Sequence, residues 1–340
     1  MNMRGFFLAL VFAFACGAGA ADLSAENLRA AAEYSAARRG MALLVIQHGQ
    51  TIFEDYPNGH SAGEAHKIYS GTKAFWNLAA LAAVEEGIIA LDERVAETIT
   101  EWRGDEGKAR ITIRELLDFT SGLDAKNHLH STEVANRTDL ALGVPQVAAA
   151  GGTCIYGPCS LQVFHEVLRR KLAPRGETPV HFFERKVLRP LGFGPQNYKR
   201  DRAGNPLLAS GFLLTARQWS RMGTLLLHDG APVVSPHMFA QCLRGSAANR
   251  AFALGFWNNR LGGAYGAREF DLEDMLEKKW QQQDWRNTCL CRAAPADLVA
   301  SVGSGYQRLL VFPSLELIVV RQGEDAKFSD GQFVRLLLGR

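Results

Sequence analysis

The chain reads as an α+β protein, an antiparallel sheet flanked by helices with a mainly helical lobe inserted into it. Apolar runs at Met41–His48 and Thr51–Tyr56 predict an early hairpin with its turn at His48–Gln50. Four more strand-like runs, Leu254–Asn258, Asp297–Val302, Tyr306–Phe312 and Leu317–Gln322, come only after residue 250. Between the two groups, from Leu91 to Arg244, helix and loop signals dominate. A lone hairpin is marginal in water, so early and late strands are expected to share one sheet.

The helices follow from periodicity and stop signals. Glu26–Arg39 is Ala-rich and stops at Gly40, and Ala74–Glu86 stops at Gly87. Ile111–Leu117 starts a helix that ends before Ser121-Gly122, and Ser160–Leu172 carries Leu161, Phe164 and Leu168 on one stripe. Pro179–Leu188, Ala216–His228 and the terminal Asp330–Leu338 complete the set. The acidic-basic stretch Asp271–Lys279 reads as a solvated turn or helix face. One domain is expected over 21–340, with a sheet lobe at about 25–60 and 250–340 and a helical lobe at about 90–245. Ligand sites favour the junction of such lobes.

Residues 1–20 have the form of a secretion signal: Arg4, an apolar run from Phe6 to Ala15, and Ala18-Gly19-Ala20 as an A-x-A cleavage site. The run is too short to span a bilayer, and the residues before Cys16 match a lipid-anchoring signal poorly. A periplasmic or secreted protein without a stable membrane span is therefore expected. Cleavage leaves 37 basic against 35 acidic side chains, with no basic block or Lys/Arg-rich helix face. That distribution excludes nucleic acid and anionic membrane as natural partners and leaves a small-molecule substrate.

Five cysteines remain: Cys154, Cys159, Cys242, Cys289 and Cys291. Cys154 and Cys159 bracket a short loop that a disulfide could close. Cys289 and Cys291 are too near in sequence to bridge each other comfortably, so one could reach Cys242. An odd count leaves at least one thiol unpaired. No C-x-x-C accompanies them, so zinc is the weaker alternative. His128 and His130 form an H-x-H read as solvated loop residues, and the chain is read as free of cofactor and metal.

Ser70-Gly71-Thr72-Lys73 is the only S-x-x-K in the chain, and it opens the helical run that ends at Glu86. Residues three apart share a helix face, so a hydroxyl and an ammonium can meet there. Unpaired N–H groups at a helix start favour developing negative charge. Such a pair is the start of a nucleophilic catalyst. Alone the motif is weak, because a chain of this length yields roughly one by chance; an N-cap serine and a surface lysine are the bland alternatives.

The order of motifs resembles the serine β-lactamase and penicillin-binding-protein superfamily, in particular its class C-like branch of esterases and amide hydrolases. Lys67-Ile-Tyr-Ser70-Gly-Thr-Lys73 resembles the nucleophile motif. Leu91-Asp-Glu-Arg-Val95, Trp102 and Ile111–Gly122 follow in the family's order, and Ile155-Tyr156-Gly157-Pro158 stands where relatives carry Y-x-N. Ser210-Gly211-Phe212 through Arg217 resembles a later helix start, and Ser301-Val302-Gly303-Ser304-Gly305 stands where relatives carry Lys- or His-Thr-Gly.

The resemblance implies a β-lactamase/transpeptidase-like fold and an acyl-enzyme on Ser70, with Lys73 and Tyr156 as acid and base. It also implies an oxyanion hole from the backbone N–H groups of Ser70 and Ser304. A packing tyrosine is the plain alternative for Tyr156. Substrate binding is expected at Ser301, Gly303 and Gly305, although strand-edge glycines are the simpler reading of the last two. Pro158 replaces the usual Asn and removes its amide contacts. Ser301 cannot supply the positive charge relatives place near a substrate carboxylate, which weakens the case for penicillins. Arg308 could replace that charge if it pointed into the cleft, and Trp257, Trp280 and Trp285 could line an acyl pocket. An ester or amide hydrolase is therefore expected first, with a β-lactamase or D-alanyl peptidase, or a catalytically weak binding or sensing relative, as alternatives.

Overall fold

The computed structural model describes residues 22–196, 198–324 and 326–340; the secretion signal read at 1–20 lies outside them. Its centre is a seven-stranded antiparallel sheet. The strands are β1 (Gly40–Gln47), β2 (Gln50–Asp55), β3 (Phe252–Ala253), β4 (Phe256–Asn258), β5 (Val299–Gly303), β6 (Gln307–Phe312) and β7 (Leu317–Gly323). Their spatial order is β2-β1-β7-β6-β5-β4-β3, so the early hairpin joins the late strands through β1 and β7. In that pairing Val45 faces Val319 and Gln47 faces Leu317. His48 and Gly49 both take positive φ, the conformation a two-residue hairpin turn requires.

One expected strand proves to begin with a turn. Leu254 (φ 45°) and Gly255 (φ 87°) make a tight turn inside the run read as Leu254–Asn258, folding β3 back on β4. Gly255 is required there twice over, since a Cβ would also sit 2.9 Å from the Ala74 Cα.

Helices cover both faces of the sheet. Alternation along β7 sends Arg321 to α1 (Ala25–Ala36), where it donates to Ser35 Oγ at 3.2 Å and the Arg38 carbonyl at 2.7 Å. Ile318, of opposite parity, meets Gly223 of the helix Ala216–Leu227 so closely that a Cβ there would lie 2.5 Å from Ile318 Cγ2. The terminal helix Asp330–Leu338 packs beside α1.

The helix α2 (Thr72–Glu85) is buried at nearly every position, as an apolar helix without a polar face must be. It ends at Gly87, whose φ of 66° suits a left-handed cap. Cys159–Leu172 forms the spine of the helical block, packed on Arg137–Leu142 and Ile113–Leu117. Among the described residues no helix is long and apolar enough to cross a membrane.

Candidate active site

Ser70 lies in a single 3-10 turn, Tyr69–Gly71, that feeds directly into α2. Tyr69 holds a left-handed backbone with φ 43°, a strained elbow just before the serine. Close packing fixes this elbow. A Cβ on Gly71 would meet Trp219 Cζ2 at 2.7 Å, and a Cβ on Gly303 would overlap the Ile68 carbonyl oxygen. The segment 209–214 completes the clamp: Ile68 N donates to the Phe212 carbonyl at 3.1 Å, and Phe212 N to Thr72 Oγ1 at 3.2 Å.

Lys73 is only 1 % exposed, and its Nζ donates to Ser70 Oγ at 2.7 Å and to the Ala209 carbonyl at 2.9 Å. Among the described residues no carboxylate is bonded to it. Burial therefore pushes its pKa from 10.5 down to about 7, where a lysine can act as a base at neutral pH.

Tyr156 brings its hydroxyl to Ser70 as a hydrogen-bond partner, and Lys73 Nζ lies 4.7 Å from its ring centroid. Burial holds the phenol above its usual range, against the opposing effect of the Ser70 bond. Phe119, Phe252 and Trp257 cage the ring at centroid distances of 4.9, 5.8 and 5.9 Å. Gly157 lets the chain pass Ala125, since a Cβ would stand 2.6 Å from the Ala125 Cβ.

The disulfide expected to shape this loop is absent. Cys154, Cys159, Cys242, Cys289 and Cys291 are all buried free thiols. Cys154 Sγ accepts from Asn249 Nδ2 at 3.7 Å, while Cys159 Sγ donates to the Ala141 carbonyl at 3.7 Å, so each sulfur has its own partner. Burial raises both thiols to about 12, which makes them poor nucleophiles. Denatured mature protein is therefore expected to give the same thiol titre before and after reduction.

Ser70, Tyr156, Val302, Gly303, Ser304 and Gly305 line one cleft of about 630 Å³. Of the substrate-side expectations, those for Ser301, Arg308 and the tryptophans need correction, while Gly303 and Gly305 keep their places on the cleft. Ser301 is fully buried and donates to the Gly71 carbonyl at 3.3 Å, bracing the elbow and not facing a substrate. Gly303 borders the cleft, but its lack of a side chain serves the contact with Ile68. Gly305, with φ 70°, is a turn residue of the β5–β6 hairpin. Arg308 turns away to Asp330 (2.6 and 3.0 Å) and Glu273 (2.6 and 3.2 Å), so its charge is already matched. Trp257 and Trp285 are packed core residues at 5.3 Å from each other, and Trp280 is half-buried away from the cleft.

Two features were missed in the sequence. The stretch read as a solvated face contains the helix Leu272–Glu277, whose Leu272, Glu273, Leu276 and Glu277 form one cleft wall. The register of Arg308 against Glu273 anchors that wall, a pairing 35 residues apart that no local pattern encodes. His130 is not a solvated loop residue either. Its Nδ1 lies 3.0 Å from Ser210 Oγ, and burial with the nearby Lys73 charge lowers its pKa to about 3, keeping the ring neutral. His128 is exposed as expected.

The comparisons agree with this fold. A family model described as Beta-lactamase matches residues 26–286. No curated protein matches the sequence. Among solved structures, the chain resembles a class C beta-lactamase from Rhodobacter sphaeroides at 17 % identity and a TM-score of 0.65, covering 93 % of this chain and 99 % of that one. It resembles EstCE1, a hydrolase with promiscuous acyltransferase activity, at 16 % identity and a TM-score of 0.65, over 92 % and 96 % of the two chains. A D-stereospecific amidohydrolase from Streptomyces sp. aligns at 13 % identity and a TM-score of 0.63, over 92 % and 98 %. These structural likenesses carry the fold, whereas the family match spans most of the sequence: the chain belongs to the beta-lactamase family and is a serine hydrolase.

Proposed function

We propose that the protein is an exported esterase or amidase that forms an acyl-enzyme on Ser70. The observation that carries this reading is the 2.7 Å contact between Lys73 Nζ and Ser70 Oγ at the wall of an open cleft. With a pKa of about 7, a substantial fraction of Lys73 is neutral at physiological pH and can take the hydroxyl proton as Oγ attacks the acyl carbon. The oxyanion that forms would be received by the backbone N–H groups of Ser70 and Ser304, which both border the cleft. Tyr156 stays protonated and would pass a proton to the leaving group, regaining one from Lys73; water then releases the acyl group. The sequence at 1–20 supports export to the periplasm or beyond.

The cleft favours neutral acyl substrates. Of its acidic lining, Glu273 is matched by Arg308 and Glu324 lies 3.9 Å from Arg39, which leaves Glu277 against the exposed Lys67. Ser301 and Arg308, the two candidates for holding a carboxylate, are both directed elsewhere. Hydrolysis of p-nitrophenyl butyrate and of a cephalosporin, measured side by side, tests the substrate claim. Turnover of the ester with the cephalosporin left intact is expected. Rapid turnover of the cephalosporin would instead establish a β-lactamase, and folded protein acylated by neither would establish a binding or sensing relative.

The tyrosine role makes its own prediction. Tyr156→Phe should slow hydrolysis of an anilide or amide by about 10²-fold or more, because an amine must be protonated to leave. The loss should be much smaller for a p-nitrophenyl ester, whose leaving group departs as an anion. Equal losses on both substrates would assign Tyr156 to packing alone.

A further inference from the structure

We propose that His60, Glu64 and His66 form a site for a divalent transition-metal ion, Zn²⁺ foremost, on the rim of the catalytic cleft. No local spacing points to this site, since H-x3-E-x-H in a loop has no helical register to align its ligands. The fold aligns them. One ligand atom from each side chain lies within 4.8 Å of the other two, and the imidazoles meet edge to face at 5.1 Å. His60 Nδ1 is 3.3 Å from Glu64 Oε2. Zinc–nitrogen and zinc–oxygen bonds of about 2.0–2.2 Å set neighbouring tetrahedral ligands roughly 3.4 Å apart, so this pair is already at ligand spacing.

A second observation points to a missing partner. His60 Nδ1 and His66 Nε2 are both shielded from solvent; His66 Nε2 has no hydrogen-bond partner among the described residues, and His60 Nδ1 has only its contact with Glu64. A shielded, unpaired ring nitrogen is costly, and a cation shared with His60 and Glu64 resolves it. Ser61 N donates to Glu64 Oε2 at 2.7 Å, orienting the carboxylate.

Two imidazoles with one carboxylate suit zinc and its neighbours in the first transition row, and disfavour Ca²⁺ and Mg²⁺, which prefer oxygen. Three protein ligands leave a fourth position open to water or a cleft occupant. His66 itself borders the cleft beside Lys67 and Ser70, so the ion would stiffen the rim without joining the acyl transfer.

The test is titration of Zn²⁺ alone into untagged, chelator-treated mature protein, against His60→Gln/His66→Gln and against Glu64→Gln. One equivalent is expected to bind the parent, with affinity falling at least about tenfold in each variant. Glu64 is exposed, so its variant tests the site even if the double variant does not fold. Equal zinc uptake by parent and Glu64→Gln, or no uptake by the parent, overturns the proposal. Ester acylation of zinc-free parent is measured alongside, so that a failed hydrolase reading is seen separately from a failed metal site.

Discussion

Replacing Lys73 with methionine is expected to lower the rate of Ser70 acylation by about 10²- to 10⁴-fold, the usual range for loss of a general base. The side chain fits, because methionine has a similar length and the site is already dry. The parent should show its own signature: with the lysine pKa at about 7, acylation by a fixed ester rises as pH increases through 7 and then levels off. That step should vanish in Lys73→Met. Stability should move with pH in a linked way. An unfolded lysine keeps its proton up to about 10.4, whereas the folded one sheds it near 7. Between those values the unfolded state binds more protons, so this residue makes the parent less stable as pH falls from 10 toward 7. The melting temperature of Lys73→Met relative to the parent should therefore rise over the same interval. A constant difference would mean that Lys73 is not titrating in the folded protein as its burial implies.

Gly303→Ala is expected to damage folding and catalysis together. The added Cβ would overlap the Ile68 carbonyl oxygen, a backbone atom with no rotamer through which to escape. Ile68 precedes the Tyr69–Gly71 turn, so any relief displaces Ser70 itself. Overpacking of this kind costs about 1–3 kcal/mol, and a shift of about 1 Å in a reacting group can cost 10²-fold in rate. A fall in melting temperature together with a loss of at least about 10²-fold in kcat/KM is the expected pair. The neighbouring Ser304→Ala should leave both nearly unchanged, because only its backbone N–H is assigned a role. Wild-type activity in Gly303→Ala would show that the elbow is not braced from β5.

Those two residues also show what was legible in the sequence. The meeting of Ser70, Lys73 and Tyr156 was, because the first two share a helical face and the third stands in the family's order. The sheet was legible too, through the apolar runs of β1 and β7 and the sharp turns that bound them. Side-chain direction at the substrate end was not. Ser301 and Arg308 lie on opposite faces of adjacent strands, and only the register of Arg308 against Val302 and Arg321 fixes which way each points. Long-range burial was equally hidden. His130 becomes neutral and enclosed because Ser210, 80 residues later, closes over it. The cysteines looked like a bridge because their spacing allowed one, yet Asn249 and the Ala141 carbonyl supply each sulfur with a separate partner.

The central claim is that Ser70 is the acylated residue, and intact mass after exposure to a fluorophosphonate ester probe tests it most directly. The parent is expected to gain one adduct per chain, recovered on the peptide that contains Ser70, while folded Ser70→Ala gains none. Equal labelling of parent and Ser70→Ala, or a folded parent that takes no label, would contradict the account.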